Sequence, residues 1–194
     1  MEKLSSVPSV SAIVTVLQPP HAKQVAELWR AFARSCQTQF VLTQKPVPHF
    51  TWQTAESYDE AALDSVLYKI ARQSEPFSVK TSGIGLFTGS MIVVYIAIVK
   101  SDSLIRLQER IWEQAQPFSK QINRYYHPDL WIPHITLAYD PLDDQALGCV
   151  IEKVALRRFE WELPVRQLAI IHAGQGAEFR TRKRYPIGSK TGAV

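Results

Sequence analysis

The apolar positions of this chain follow two rhythms, one of period two and one of helical period, and together they lay out a mixed α/β protein. Residues 12–17 form a short β-branched run that reads as a buried strand. Pro19 and Pro20 end it, and Pro20 suits the first turn of a helix. Over residues 21–36, Val25, Leu28, Trp29, Phe32 and Cys36 share one face at helical spacing. A loop with Pro46 and Pro48 then leads to a strand over 49–54. Ser57 followed by Glu60 has the form of a capping box, and the helix behind it turns Leu63, Val66, Leu67 and Ile70 inward. Residues 77–87 read as a strand in which Gly83 and Gly85 mark a bulge or a close backbone approach.

The pattern then restarts. Residues 91–99 are a second buried strand, and Ser101-Asp102 opens a helix with Leu104, Leu107, Ile111 and Trp112 as its apolar stripe. Residues 117–133 show no clear period and read as a long loop. A strand over 134–139 follows, then a helix capped by Asp143-Asp144 that turns Leu147, Val150, Ile151 and Val154 inward. Residues 161–172 and 179–187 read as two strands joined by Gly174-Gln175-Gly176. A shift of 85 maps Pro48 onto Pro133, Thr51 onto Thr136 and Asp59 onto Asp144. This predicts an internal duplication within one domain spanning residues 1–194. Its two α/β lobes, about 12–90 and about 91–188, are related by a pseudo-two-fold axis, and the strands at 49 and 134 meet across a central groove.

Those two strands carry the candidate chemistry. Each begins with proline, histidine, an apolar residue and threonine: Pro48-His49-Phe50-Thr51 and Pro133-His134-Ile135-Thr136. Side chains alternate along a strand, so His49 shares a face with Thr51, and His134 with Thr136. Within each pair the Cα atoms stand roughly 6.6 Å apart, so an imidazole and a hydroxyl reach one small tetrahedral anion. A lone strand histidine is ordinarily packing; two in register with a whole-lobe repeat are candidates for catalysis. His21 and His172 keep the ordinary reading, at a helix start and a strand end.

Other candidates are weaker. Gln53 shares the His49 face by alternation, so its amide either bonds a substrate or is solvated at a strand end. Tyr95 and Thr15 lie in the strands that open the two halves; each either points into the groove or bonds a nearby backbone group, the second being the better reading for Thr15. Trp52 alternates with Phe50 into the core, and Tyr139 alternates away from Thr136. His127 lies in the 117–133 loop, which could close over the groove.

Composition narrows the class. With 46% hydrophobic and 21% charged residues, this is the make-up of a soluble globular protein. The longest apolar run, residues 91–99, is too short to span a bilayer, and no export signal stands out at the N-terminus. Net charge is +4, and the densest cluster is Arg180, Arg182, Lys183 and Arg184, joined by Lys190 with no acid between. Such a cluster suits an anionic partner such as phosphate or RNA, or else a solvated strand and tail. Cys36 and Cys149 are isolated, which suggests reduced thiols and a cytosolic location rather than a disulfide scaffold. Two histidines and two hydroxyls are a poor ligand set, so neither metal nor cofactor is expected.

With these motifs in view, the chain resembles the two-histidine (2H) phosphoesterase superfamily, in its LigT or 2′,5′-RNA-ligase-like branch. The resemblance rests on His49-Phe50-Thr51 and His134-Ile135-Thr136, and on the segments FSVKTSGIGLFTG, MIVVYIAIV and FRTRKRYPIG, so it covers about Ala12 to Gly188. Tyr139 stands where some relatives place an arginine, and Trp52 where a smaller aliphatic residue is common; both differences bear on substrate rather than chemistry. The resemblance implies a duplicated LigT-like fold and a phosphodiesterase using His49, His134, Thr51 and Thr136. It further implies RNA or a nucleotide with a 2′,3′-cyclic phosphate or 2′,5′ linkage as partner. A ligase running the reaction in reverse is the alternative within the family, and an RNA-binding module with little turnover the alternative outside it. A complete duplicated fold needs no partner chain, so a monomer is expected.

Overall fold

The computed structural model describes residues 10–38, 46–140, 142–173 and 179–188. The Gly174-Gln175-Gly176 turn and Lys190 lie outside them. In chain order the elements are β1 (Val10–Val16), α1 (His21–Ser35), β2 (His49–Tyr58), α2 (Glu60–Arg72), β3 (Phe77–Phe87), β4 (Ile92–Ile98), α3 (Asp102–Ala115), β5 (Ser119–Ile122), β6 (His134–Asp140), α4 (Asp144–Ala155), β7 (Glu162–Val165), β8 (Gln167–Ala173) and β9 (Arg180–Pro186). Short 3-10 turns flank β5 at Gln116–Phe118 and Arg124–Tyr126.

The helices form where the apolar stripes place them. Val25, Leu28, Trp29 and Phe32 of α1 are buried, as are Leu104, Leu107, Ile111 and Trp112 of α3. Each such side chain withdrawn from water contributes about 1.5–3 kcal/mol. Ser101 and Asp143 cap α3 and α4 through their side-chain oxygens, as expected. Ser57 does not cap α2. The strand before it runs on to Tyr58, and Asp59 is the cap, accepting from the Ala62 amide.

All strand pairings are antiparallel, in two sheets ordered β5-β2-β1-β8-β9 and β6-β4-β3-β7. The sheets are not the two halves of the chain. The strand that closes the first half, β3, pairs with β4 of the second, and β8 returns to pair with β1. What reads as one strand over 161–172 is therefore two, in different sheets, with Arg166 between them. The expected loop over 117–133 is also more ordered than its sequence suggests, since β5 adds to β2 through Ala55↔Ile122 and Ser57↔Lys120.

Helices α2 and α3 pack on the first sheet, and α1 on the second, with α4 beside it. A single apolar core joins them, from Ile13, Phe50 and Trp52 of the first sheet to Val94, Ile96 and Ile135 of the second. Cys36 and Cys149 form a disulfide, S–S 2.04 Å, that links the end of α1 to α4. This overturns the expectation of reduced thiols, and with it the ground for expecting a cytosolic location. Among the described residues, no helix is long and apolar enough to cross a membrane.

Candidate active site

Each sheet has a face that the helices leave open, and the first residues of β2 and β6 place the motif side chains on those faces. In β2 the register sets Val16 opposite His49 and Val14 opposite Thr51. Val14 and Val16 belong with Ala12, Ala169 and Ile171 to a small apolar cluster separate from the main core, so His49 and Thr51 stand on that open face. In β6, Ala97 lies opposite His134 and Tyr95 opposite Thr136, while Ile96 and Ile135 face the main core. The two motif strands approach within 8 Å, Cα to Cα.

The two motifs are built alike. The Nδ1 atom of His49 bonds the Val47 carbonyl, and that of His134 bonds the Ile132 carbonyl at 2.7 Å. A carbonyl only accepts, so each imidazole carries its proton on Nδ1, and in the neutral ring Nε2 is the acceptor. The acceptor lies two residues upstream, across the proline, in both. Each threonine carbonyl accepts an indole N–H: Trp131 Nε1 donates to Thr51 O at 3.0 Å, and Trp29 Nε1 to Thr136 O at 3.1 Å. Trp131 in turn stacks on Trp52, ring centroids 5.7 Å apart. These buried indoles hold the backbone under the hydroxyls.

A one-residue bulge follows each threonine. Val14 pairs with Thr51 but Ile13 with Gln53, so Trp52 is the extra residue; Tyr95 pairs with Thr136 but Val94 with Ala138, so Leu137 is. A bulge reverses which way the following side chains point. Gln53 therefore does not share the His49 face as alternation predicts. It turns into the core opposite Ile13, fully buried, where Oε1 accepts from the Tyr58 hydroxyl at 3.0 Å. Tyr139 moves the other way, onto the face of His134 and Thr136, opposite Val93. Trp52 is buried, as expected.

The remaining candidates divide. Tyr95 lies on the groove face, its ring 5.2 Å from that of His134. Phe87 packs against both, 4.4 Å from Tyr95 and 5.0 Å from His134. The close approach expected at Gly85 is to Tyr95: a Cβ there would lie 2.5 Å from the ring. Gly83, at φ +76°, sits in the β3 bulge. Thr15 faces the core, donating to Gln167 O and accepting from Trp52 Nε1. His127 meets Trp112 of α3 edge-to-face and pairs with Asp129 of its own loop, so these contacts are with the helix and loop rather than the groove. Its neighbour Tyr126 is the residue the sequence did not single out. Its phenol is hydrogen-bonded to Thr51 and feels Tyr139, and burial pushes its pKa up to about 12 against the lowering effect of Thr51.

Electrostatics distinguish the histidines. Burial lowers His49 to about 4; the Val47 carbonyl works against this, and a charge on His134 adds to it. Burial also lowers His134, opposed by the Ile132 carbonyl. The basic strand is partly neutralised: Arg182 pairs with Glu60 and Asp64, and Lys183 with Asp64 at 2.9 Å.

The fold and paired motifs define a two-lobed, duplicated scaffold, and the comparisons agree with it. Residues 17–177 match the model of the 2′-5′ RNA ligase superfamily, and the chain belongs to that family. A Bacillus mycoides protein named "Putative phosphoesterase" is 23% identical over 146 residues, 74% of this chain and 80% of its own. A Bacillus cereus protein of the same description is 23% identical over 144 residues, covering 73% and 79%. Among solved structures, E. coli LigT complexed with 3′-AMP superposes with a TM-score of 0.61 at 20% identity, over 93% of this chain and 99% of that one. A phosphoesterase crystal structure does so with 0.60 at 19%, over 93% and 99%. The fold is that of LigT.

Proposed function

We propose that this protein hydrolyses a 2′,3′-cyclic phosphate or 2′,5′-linked nucleotide by two-histidine acid–base catalysis, without a metal. The observation that carries this reading is the doubled motif, in which each imidazole is fixed as the Nδ1–H tautomer and offers Nε2 to a shared groove. One imidazole takes a proton from water as its oxygen attacks phosphorus; the other gives a proton to the ribose oxygen as its bond to phosphorus breaks. Each transfer is worth on the order of 10²–10⁴ in rate. Thr51 and Thr136 donate to the non-bridging oxygens, where charge builds in the transition state.

The surroundings support one assignment of the roles, which the sequence leaves open. His49 sits over apolar side chains and is held neutral, which suits the base. His134 packs edge-on to Phe87 and tilted against Tyr95, and is left with the role of acid. A 2′,5′ ligation would be the same steps reversed. Turnover of a 2′,3′-cyclic nucleotide in EDTA tests the reading: activity that survives His49→Ala and His134→Ala, or that needs added metal, would refute it.

A further inference from the structure

We propose a second anion subsite in the groove beside His49, one that selects substrates carrying a phosphate beyond the scissile one. It rests on the hydrolase reading above for the position of the scissile group, and on the strand register for its own.

On the open face of the first sheet, residues from successive strands form rows. Thr51 of β2 lies beside Val14 of β1, then Ala169 of β8, then Arg184 of β9. At about 4.8 Å per strand, Arg184 stands roughly 14 Å from Thr51, a span that a nucleotide covers and a lone phosphate does not. One step along lie His49, Val16 and, further out, Gln167 and Pro186. Here a cavity of about 510 Å³ opens, lined by Val16, Gln18, Pro164, Arg166, Gln167 and Pro186. That volume is within the ordinary range for small-ligand pockets.

Its chemistry is that of an anion site with an apolar floor. Among the described residues, no carboxylate lines it. Arg166 is the single residue between β7 and β8, and its backbone carbonyl is pinned by the Ile187 amide. Arg184 is not part of the lining itself, but its Nη1 donates at 3.5 Å to Oε1 of Gln167, which is, so the guanidinium stands at the cavity's rim. The bulge at Arg182 brings this about: Arg182 and Lys183 meet the carboxylates of α2, while Arg184 lies on the groove face. Val16, Pro164 and Pro186 offer an apolar surface to a ribose or base. The substrate class is thus a 5′-phosphorylated nucleotide or an oligonucleotide end bearing the cyclic phosphate, rather than a bare cyclic mononucleotide.

Calorimetry with adenosine 3′-monophosphate and adenosine 3′,5′-bisphosphate tests this without requiring turnover. The bisphosphate should bind the wild type about tenfold tighter or more, the gain of one charge-assisted contact. In Arg166→Gln combined with Arg184→Gln that ratio should fall toward one, while affinity for the 3′-monophosphate changes little, which also shows that the variant is folded. Equal affinities in the wild type, or an equal loss for both ligands in the variant, would overturn the subsite. An arginine-dependent preference in a protein that turns over no cyclic phosphate would support the subsite and count against the hydrolase reading alone.

Discussion

The motif strands β2 and β6 share one skeleton but stand in different surroundings. Both fix the histidine through a carbonyl two residues upstream, both pin the threonine carbonyl with an indole, and both bulge directly afterwards. Where β6 has Tyr95 opposite its threonine, β2 has Val14; His134 has the rings of Phe87 and Tyr95 beside it, while His49 has Ala12, Val14 and Val16 nearby and one ring, Phe179, at 6.2 Å. On the proposed reading, the duplicated backbone sets where protons are exchanged, and the neighbours that differ set in which direction.

Replacing the histidines should produce the largest effects. His49→Ala and His134→Ala are each expected to lower kcat on a cyclic nucleotide by on the order of 10²–10⁴. An ester with a strongly acidic leaving group needs no acid, so it should restore His134→Ala far more than His49→Ala; the reverse order would exchange the roles. Second in size is the disulfide, which staples the helices around β6 and leaves those behind β2 unlinked. Its reduction should cost up to about 4.7 kcal/mol on a loop-entropy account. Melting with and without reductant measures this at about 2–4 °C per kcal/mol, and hydrogen exchange should rise in α1 and β6 before β2.

Next come the indoles. Trp131→Phe and Trp29→Phe keep most of the ring but strand a buried carbonyl, at about 1–3 kcal/mol each in denaturant unfolding. Each should also slow turnover, through Thr51 and Thr136 respectively. Gly85→Ala acts on one side only: a Cβ there displaces Tyr95 from His134, so the acid limb of catalysis should weaken with little change in stability of the first sheet. The mildest test is pH. His49 must be neutral, so kcat/KM should rise as pH climbs through about 4; His134 must be charged, so it should fall as pH passes its own pKa, which burial holds below 6.5. The optimum for the free enzyme is therefore acidic, and a maximum above pH 7 would count against a pair of buried, lowered histidines as the titrating groups.

Much of this was legible in the sequence where local rules suffice. Alternation placed His49, Thr51, His134 and Thr136, helical period placed the buried faces of α1 and α3, and short polar side chains marked the caps at Ser101 and Asp143. The errors at Gln53 and Tyr139 share one cause: a bulge depends on the partner strand, and nothing in residues 49–58 alone shows that Trp52 is extra. Tyr126 was hidden because a 3-10 turn has too few residues to show a period. The bond between Cys36 and Cys149 spans 113 positions and exists only once α1 and α4 lie side by side.

The exchange of β3 and β8 between sheets has a consequence for how this molecule can be divided. β1 finds its second neighbour only when a segment more than 150 residues later arrives, so the first sheet cannot be completed during early synthesis. Cut near residue 90, the N-terminal piece would keep β1 and β2 with both outer edges bare, since β5 and β8 are lost, and β3 with no sheet to join. Two such pieces could satisfy each other by trading β3, giving a symmetric pair that resembles the ancestor a tandem gene would have fused.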